Sequence, residues 1–253
     1  MSRLATGRPI YAIGDVHGRR DLLYALLAAI ETDAAVLGEH PLVVFLGDVI
    51  DRGPESREAM DLVIDTLARY PGSRLILGNH EDFMLRFIEG RTGRARVARA
   101  WFANGGAATV ASYGCGVEME IDAVAAHIAG EFAGHVEALR NADWLLETES
   151  HVFVHAGIDP VMPLSAQDPE VSRWIRREFL DWPEPFEKTV VHGHTPTESL
   201  LPEIVRSRIG VDTGAVFSGH LTCAVIAGDS PPRFLATREN GAVAVSETRP
   251  LLL

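Results

Sequence analysis

The chain has 253 residues, 47% hydrophobic and 23% charged, which suits one large α/β domain with a full core and excludes a disordered chain. Acidic residues number 35 and basic ones 23, and the resulting net charge of −12 argues against non-specific binding to a nucleic-acid backbone. Two cysteines, Cys115 and Cys223, lie outside any CxxC pattern and read as small buried hydrophobes of a reducing compartment.

In chain order, the stretch before Ile10 has no apolar signal core, and no segment approaches the length needed to span a bilayer. The expectation is a soluble cytoplasmic protein with no membrane partner. Ile10 to Ile13 reads as the first strand, running into Gly14-Asp15-Val16-His17-Gly18. A helix follows from Asp21 to Ile30, with Leu22, Leu23, Leu26, Leu27 and Ile30 at helical spacing. Leu42 to Leu46 is the second strand, a continuous apolar run stopped by Gly47-Asp48, as in a strand buried on both faces. Pro54 opens a helix striped by Ala59, Leu62, Val63 and Leu67, which Pro71-Gly72 ends. Arg74 to Leu77 is the third strand, followed by Gly78-Asn79-His80-Glu81 and a helix from about Glu81 to Ile88. Three β-loop-α units in a row predict a parallel sheet with crossover helices.

From Gly90 to Glu149 the texture changes to alanine-rich helical stretches, broken at Asn104-Gly105-Gly106 and Tyr113-Gly114-Cys115-Gly116. This reads as a helical insertion covering one side of the site. Its arginines, Arg91, Arg94, Arg96 and Arg99, read as a solvated face. Val152 to Val154 then runs into His155-Ala156-Gly157, one helix is expected from near Pro169 through Leu180, and Thr189 to Val191 runs into His192-Gly193-His194-Thr195. Beyond Ile204, short β runs at Ile209–Val211, Leu221–Ala227, Arg233–Ala236 and Val243–Val245 suggest antiparallel strands completing a second sheet. No repeat or linker divides the chain, so residues 1–253 read as a single domain.

Five apolar strands thus deliver Asp, Asn or His at the same end, where open α/β sheets place their chemistry. Alone, Asp48 could simply cap the next helix; five recurrences of one pattern describe a site. Asp15, His17, Asp48, Asn79, His155 and His194 form a mixed oxygen and nitrogen set that fits a two-metal centre. Asp48, the lone acid at its strand end, is the candidate bridge. The absence of thiolate argues against a structural zinc site. Two ions ~3.5–4 Å apart bind the attacking and leaving sides of a phosphoryl group and lower the pKa of a bridging water. Arg52 is a candidate phosphate clamp and Arg176 a second, with Arg177 its competitor. His80 follows the ligand Asn79 and is free to donate a proton, and Asp51 could hold its ring.

The motifs GDVHG, GDVIDRGP, GNHE, HAG and HGHT, in that order from Tyr11 to Pro196, resemble the phosphoprotein phosphatase family of metallophosphoesterases. The resemblance implies a central β-sandwich of two mixed sheets flanked by helices, with a dinuclear centre. It assigns Asp15, His17 and Asp48 to one metal and Asp48, Asn79, His155 and His194 to the other. Arg52 and Arg176 would be the clamps, and Asp51 with His80 the acid pair. Mn2+ is the first choice of ion, with Fe or Zn as alternatives. Pro196 stands where the wider superfamily often has a further histidine, which leaves His192 a supporting position behind the ligands or a structural role rather than that of a ligand. The segment Asp212 to Phe217 differs from the loop of eukaryotic members and points to the bacterial and phage branch. The leading expectation is a phosphatase acting on phosphoserine or phosphothreonine, and its rival a symmetrical hydrolase of diadenosine tetraphosphate and related dinucleoside polyphosphates. A catalytically silent binding module would be expected to have lost a ligand or the acid, and all are present.

Overall fold

The apolar runs become strands because each can bury both faces. In chain order the elements are β1 (Ser2–Arg3), β2 (Ile10–Ile13), α1 (Arg20–Val36), β3 (Leu42–Phe45), α2 (Ser56–Arg69), β4 (Arg74–Leu75) and α3 (Asn79–Glu89). Four helices follow, α4 (Arg94–Ala103), α5 (Gly106–Ser112), α6 (Ile121–Glu131) and α7 (Ala133–Arg140). Then come β5 (Leu145–Glu147), β6 (His151–Val154), α8 (Pro169–Trp174), α9 (Arg177–Leu180), β7 (Thr189–His192), β8 (Glu203–Val205) and β9 (Arg208–Gly210). The chain ends with α10 (Ala215–Ser218), β10 (Thr222–Ile226), β11 (Arg233–Asn240), β12 (Ala242–Thr248) and β13 (Leu251–Leu252). This computed structural model describes residues 2–4, 7–91, 93–228 and 230–253; Met1, Ala5 and Thr6, in the stretch before the first predicted strand, fall outside them.

Two mixed sheets form, one in the order β1-β5-β6-β7-β9-β8-β13 and the other β12-β11-β10-β2-β3-β4. Side chains alternate across each strand, so Ile10 and Ala12 of β2, with Leu42 and Val44 of β3, point into the layer between the sheets. There they meet Leu146, Phe153, Val191 and Ile209. Tyr11, Ile13, Val43 and Phe45 point the other way, onto α1, α2 and the helical insertion. On the outer face of the seven-stranded sheet, Val152, Val154 and Val190 pack on Ile158 and Phe179. β2, β3 and β4 run parallel in one sheet, β6 and β7 run parallel in the other, and their carboxyl ends carry the site. Among the described residues no helix is long and apolar enough to cross a membrane.

Four expectations change. The helices of the insertion stop at Arg140, and Leu145–Glu147 is a strand of the seven-stranded sheet, so the helical segment is shorter than 90–149. The single helix expected from Pro169 to Leu180 is two: Ile175 turns extended (ψ 141°) and Arg176 lies at φ −131°, ψ −93°. That break lets Ile175 and Phe179 both close on Gly157, whose missing Cβ leaves them room. The late strands do not make one second sheet: β8 and β9 join β7, while β10, β11 and β12 extend the sheet of β2, with Ala224 opposite Ala12. Finally, β1 precedes Ile10 and pairs in parallel with β5. The arginines of this stretch do lie on an outer face, with Arg91, ahead of α4, and Arg96 and Arg99 within it exposed, and Arg94 paired to Asp122. Cys115 and Cys223 are free and buried.

Candidate active site

The loops after β2, β3 and β4 pass close to other backbone: a Cβ on Gly14 would strike the Val211 carbonyl, and the loops of Asp48 and Asn79 lie against each other. Gly47, at φ +99°, faces the Gly78 backbone and the His155 ring, and a Cβ on Gly78 would strike Asp48. Non-glycine residues with positive φ concentrate here: His17 (48°), Asp48 (51°), Asp51 (74°), Arg52 (70°) and His194 (67°). Left-handed backbone at bulky residues persists only where the surroundings enforce it, and it is typical of functional sites.

Asp15, His17, Asp48, Asn79, His155 and His194 are all buried. Two clusters share Asp48: one with His17 and His80, the other with His155 and His194, each holding its ligand atoms within 4.8 Å of one another. Asp15 borders both, its Oδ2 3.9 Å from His17 Nε2 and its carboxylate accepting the His194 backbone N–H at 3.0 and 3.2 Å. Asn79 is the first residue of α3, and its Oδ1 lies 3.0 Å from His155 Nε2. Two imidazoles are oriented by carbonyls: His17 Nδ1 donates to Ile50 O (2.9 Å) and His155 Nδ1 to Leu46 O (2.8 Å). Each therefore turns Nε2 inward, the arrangement that fixes the tautomer of a metal-binding histidine.

The electrostatics fit divalent ions. Burial, with the Asp212 and Asp48 carboxylates, pushes the Asp15 carboxyl well above its usual range. Burial would raise Asp48 too, but the histidines around it, His155 foremost, hold it well below. His155 goes up to about 9, because Asp48 outweighs its burial. Burial pulls His17 down to about 3, and burial with His155 pulls His194 down to about 2. His194 Nε2 is buried without a hydrogen-bond partner, and its Nδ1 lies 3.1 Å from His155 Nε2. Crowded carboxylates, the neutral imidazoles of His17 and His194 and an orphaned ring nitrogen together leave lone pairs that a cation satisfies. The donors are oxygen and nitrogen only, as ions such as Mn2+, Fe or Zn accept.

His80 Nδ1 donates to Asp51 Oδ2 at 2.6 Å, so the two share a buried hydrogen bond. Burial lowers His80, yet Asp48 and Asp51 raise it above its usual pKa. Its Nε2 is 3.8 Å from Asp48 Oδ2. Arg52 is exposed and reaches over the site, with Nη1 2.6 Å from His17 Nε2 and Nη2 3.1 Å from His80 Nε2. Arg176 is also exposed; its Nη1 donates to Thr195 Oγ1 at 3.1 Å, next to His194. Arg177 begins α9 and has no such link to the site among the described contacts. His192 is buried edge-on against Phe179, its Nδ1 turned to Gly193 O, a packing position rather than a cluster position.

Four further residues belong to the site. Glu81 accepts the backbone N–H groups of Asp48 (2.8 Å), Val49 (2.7 Å), Ile50 (3.2 Å) and Gly78 (3.0 Å), and so fixes the Asp48 loop. Its signal was legible as half of a capping box, a Glu at the third position of a helix reaching back to the N-cap N–H. Asp212, buried after the run Ile209-Gly210-Val211, repeats the strand-then-acid pattern of the other loops; burial and Asp48 lift it to about 6. Trp101 Nε1 donates to Asp51 Oδ2 (2.8 Å) and Thr109 Oγ1 to Asp51 Oδ1 (2.6 Å), both from the helical insertion. No local pattern announces these two.

Comparison with known proteins fits this geometry. A Bacillus cereus (strain ATCC 10987) protein named bis(5'-nucleosyl)-tetraphosphatase PrpE [asymmetrical] is 28% identical over 232 residues, 83% of this chain and 87% of the relative. Among solved structures, one provisionally assigned as a diadenosine tetraphosphatase aligns with a TM-score of 0.60 at 19% identity, covering 98% of this chain and 97% of the other. A cold-active protein-tyrosine phosphatase from a psychrophilic Shewanella aligns with a TM-score of 0.55 at 18% identity, over 97% of this chain and 82% of that one. These likenesses in structure establish the fold, and nothing in the three singles out the serine/threonine phosphatase branch. The model of the calcineurin-like phosphoesterases matches residues 8–223, a span that holds every strand-end candidate ligand from Asp15 to His194, and the chain belongs to that family.

Proposed function

We propose that the chain hydrolyses dinucleoside polyphosphates next to a nucleoside-bearing phosphate, so that diadenosine tetraphosphate yields ATP and AMP. The observation that carries this reading is the pair of ligand clusters sharing Asp48 beneath Arg52, in a chain 28% identical to a tetraphosphatase named as asymmetrical. The phosphoserine and phosphothreonine expectation takes second place, and asymmetrical cleavage replaces symmetrical.

Two divalent ions, one held by Asp15, His17 and Asp48 and the other by Asp48, Asn79, His155 and His194, would supply Lewis-acid stabilisation of the phosphoryl oxygens and activation of the attacking water, leaving His80 outside both ligand sets. The water oxygen bonds to phosphorus and releases a proton to solvent, the bridging P–O bond breaks with its electron pair on the bridge oxygen, and that oxygen leaves with the departing phosphate, taking up a proton from His80 Nε2 that solvent replaces. Arg52 can only donate, so while its Nη2 sits on His80 Nε2 that nitrogen is the acceptor. Turning the guanidinium to two phosphate oxygens frees Nε2 to carry a proton to the leaving oxygen, while Asp51 keeps hold of Nδ1. Arg176, standing at Thr195, grips the phosphate from the His194 side.

The test is product analysis after incubating the Mn2+-loaded protein with diadenosine tetraphosphate. Equal ATP and AMP are expected. Two ADP per substrate would overturn the asymmetry. An untouched dinucleotide beside rapid phosphate release from phosphoserine peptides would overturn the substrate class and restore the protein-phosphatase reading.

A further inference from the structure

Trp174 is a large aromatic residue left 37% exposed, an unusual place for a tryptophan in a chain that buries Trp101 completely. Its ring stands perpendicular to two neighbours. Phe83 of α3 supports it at 5.4 Å between centroids, and the ring of His194, a candidate ligand, lies at 6.1 Å. Arg176, the candidate clamp, is two residues on and reaches Thr195 beside the same histidine. An open indole surface and a guanidinium thus flank one edge of the metal clusters.

The segment carrying Trp174 is anchored. Asp168 caps α8 by accepting the Glu170 N–H (2.8 Å), and the Ala156 N–H donates to Ser172 O (3.0 Å), which ties α8 to the loop of His155. Arg173 reaches Asp82 (3.6 Å) and Glu170 (3.5 Å), and Arg86 bridges the same two carboxylates. The break at Ile175 follows directly, pinned on Gly157. A rigid aromatic surface loses little entropy when a planar ring stacks on it.

We propose that Trp174 is a stacking platform for a nucleobase of the substrate, the base joined to the phosphate beside the broken bond. This deepens the dinucleoside polyphosphate reading and rests on it. A platform one ring contact from a ligand histidine reaches only a base close to the reacting phosphorus. In asymmetrical cleavage the broken bridge adjoins a nucleoside-bearing phosphate; in symmetrical cleavage each base is one phosphate further away. The position of Trp174 suits the former. Stacking accepts any base, since each has a π face, so adenine and guanine substrates should both use it.

The experiment compares wild type, Trp174→Phe and Trp174→Ala on diadenosine tetraphosphate and on p-nitrophenyl phosphate, which has no base. The readout is the ratio of the two kcat/KM values. Loss of base stacking should lower that ratio by about 5- to 150-fold in Trp174→Ala, through KM for the dinucleotide, and Trp174→Phe should recover most of it. Titrating AMP into the wild type should quench tryptophan fluorescence, and the quench should vanish in Trp174→Phe. An unchanged ratio, or a loss of bound metal in Trp174→Ala showing that the ring merely props His194, overturns the platform. Failure of the substrate reading is a separate event, because it shows in the wild type as no turnover of the dinucleotide.

Discussion

Replacing Glu81 by glutamine should destabilise the protein and loosen the metal clusters without touching a ligand. The carboxylate is fully buried and each oxygen accepts two backbone N–H groups: Oε2 those of Asp48 and Gly78, Oε1 those of Val49 and Ile50. A glutamine has one acceptor oxygen, so its NH2 must face two of these donors. The cheaper orientation puts NH2 at the Oε1 position, because the Ile50 bond there is the longest of the four at 3.2 Å. Each buried donor left unpaired costs about 1–3 kcal/mol, so the change should cost about 2–6 kcal/mol. Against a total stability of about 5–15 kcal/mol that is a large fraction. The assay is urea unfolding of both proteins in excess chelator, where bound metal adds nothing to either. A lowered midpoint with unchanged slope is expected, and metal analysis of the loaded variant should show reduced occupancy, since Asp48 depends on this loop for its φ of +51°. A midpoint shift worth less than about 0.5 kcal/mol, the ordinary scatter of neutral surface changes, would refute the reasoning.

Other outcomes follow from the same geometry. Chelation should abolish hydrolysis of an aryl phosphate and Mn2+ should restore it, and Asp48→Ala should lose both ions together, as metal analysis would show, because Asp48 serves both clusters. Arg52→Ala should lower kcat/KM by about 10²–10³-fold; Arg176→Ala should do so more mildly, and Arg177→Ala, which lacks the Thr195 link, should stay within about threefold of wild type by the same steady-state assay. Asp33 joins α1 to β11 by accepting from Tyr11 (2.8 Å) and Arg233 (3.1 and 2.8 Å); burial opposes these bonds, but they hold its carboxyl below the usual range. A depressed carboxyl contributes stability above its unfolded pKa and loses it as pH falls. The penalty of Asp33→Asn, about 1 kcal/mol for a partly exposed pair, should therefore be constant above pH ~5 and shrink below pH ~3.9 in chemical unfolding.

The sequence made the strand ends legible for a physical reason. A strand buried on both faces must be apolar throughout, so the Gly-Asp or Gly-Asn that stops it stands out, as at Phe45 to Asp48. Asp212 obeys the same rule, but Gly210 interrupts the apolar run before it and no glycine adjoins it, so the pattern does not stand out there. What local pattern could not carry was pairing. Nothing near Cys223 states that β10 lies beside β2 rather than in the other sheet, since such contacts are set by burial on the partner. The helix break at Ile175 was equally hidden, because the residue it packs on, Gly157, lies eighteen positions away in sequence. Trp101 and Thr109 lie 50 and 58 positions from Asp51 in sequence, and only folding brings them to its carboxylate.

Those two residues turn the helical insertion from a cover into part of the machinery, and that can be tested. Asp51 has no exposure, and its carboxylate is held by three donors: His80, Trp101 and Thr109. Removing one of the insertion's donors leaves His80 at the carboxylate with a weaker fix on its ring plane. Trp101→Phe and Thr109→Val should each cost about 1.5–3 kcal/mol of stability, the range for a hydrogen bond to a charged group. If the insertion only supports the fold, activity should fall equally on every substrate. If it aims the imidazole, kcat should fall more for an alkyl phosphate such as phosphoserine, whose alkoxide needs a proton to leave, than for an aryl phosphate with an acidic phenol. Since both donors act on one carboxylate, the double variant should lose less than the sum of the two singles in ΔΔG, a coupling expected of groups that share a partner. Equal losses on both substrate types, with strict additivity, would show that Trp101 and Thr109 hold the helices in place and nothing more.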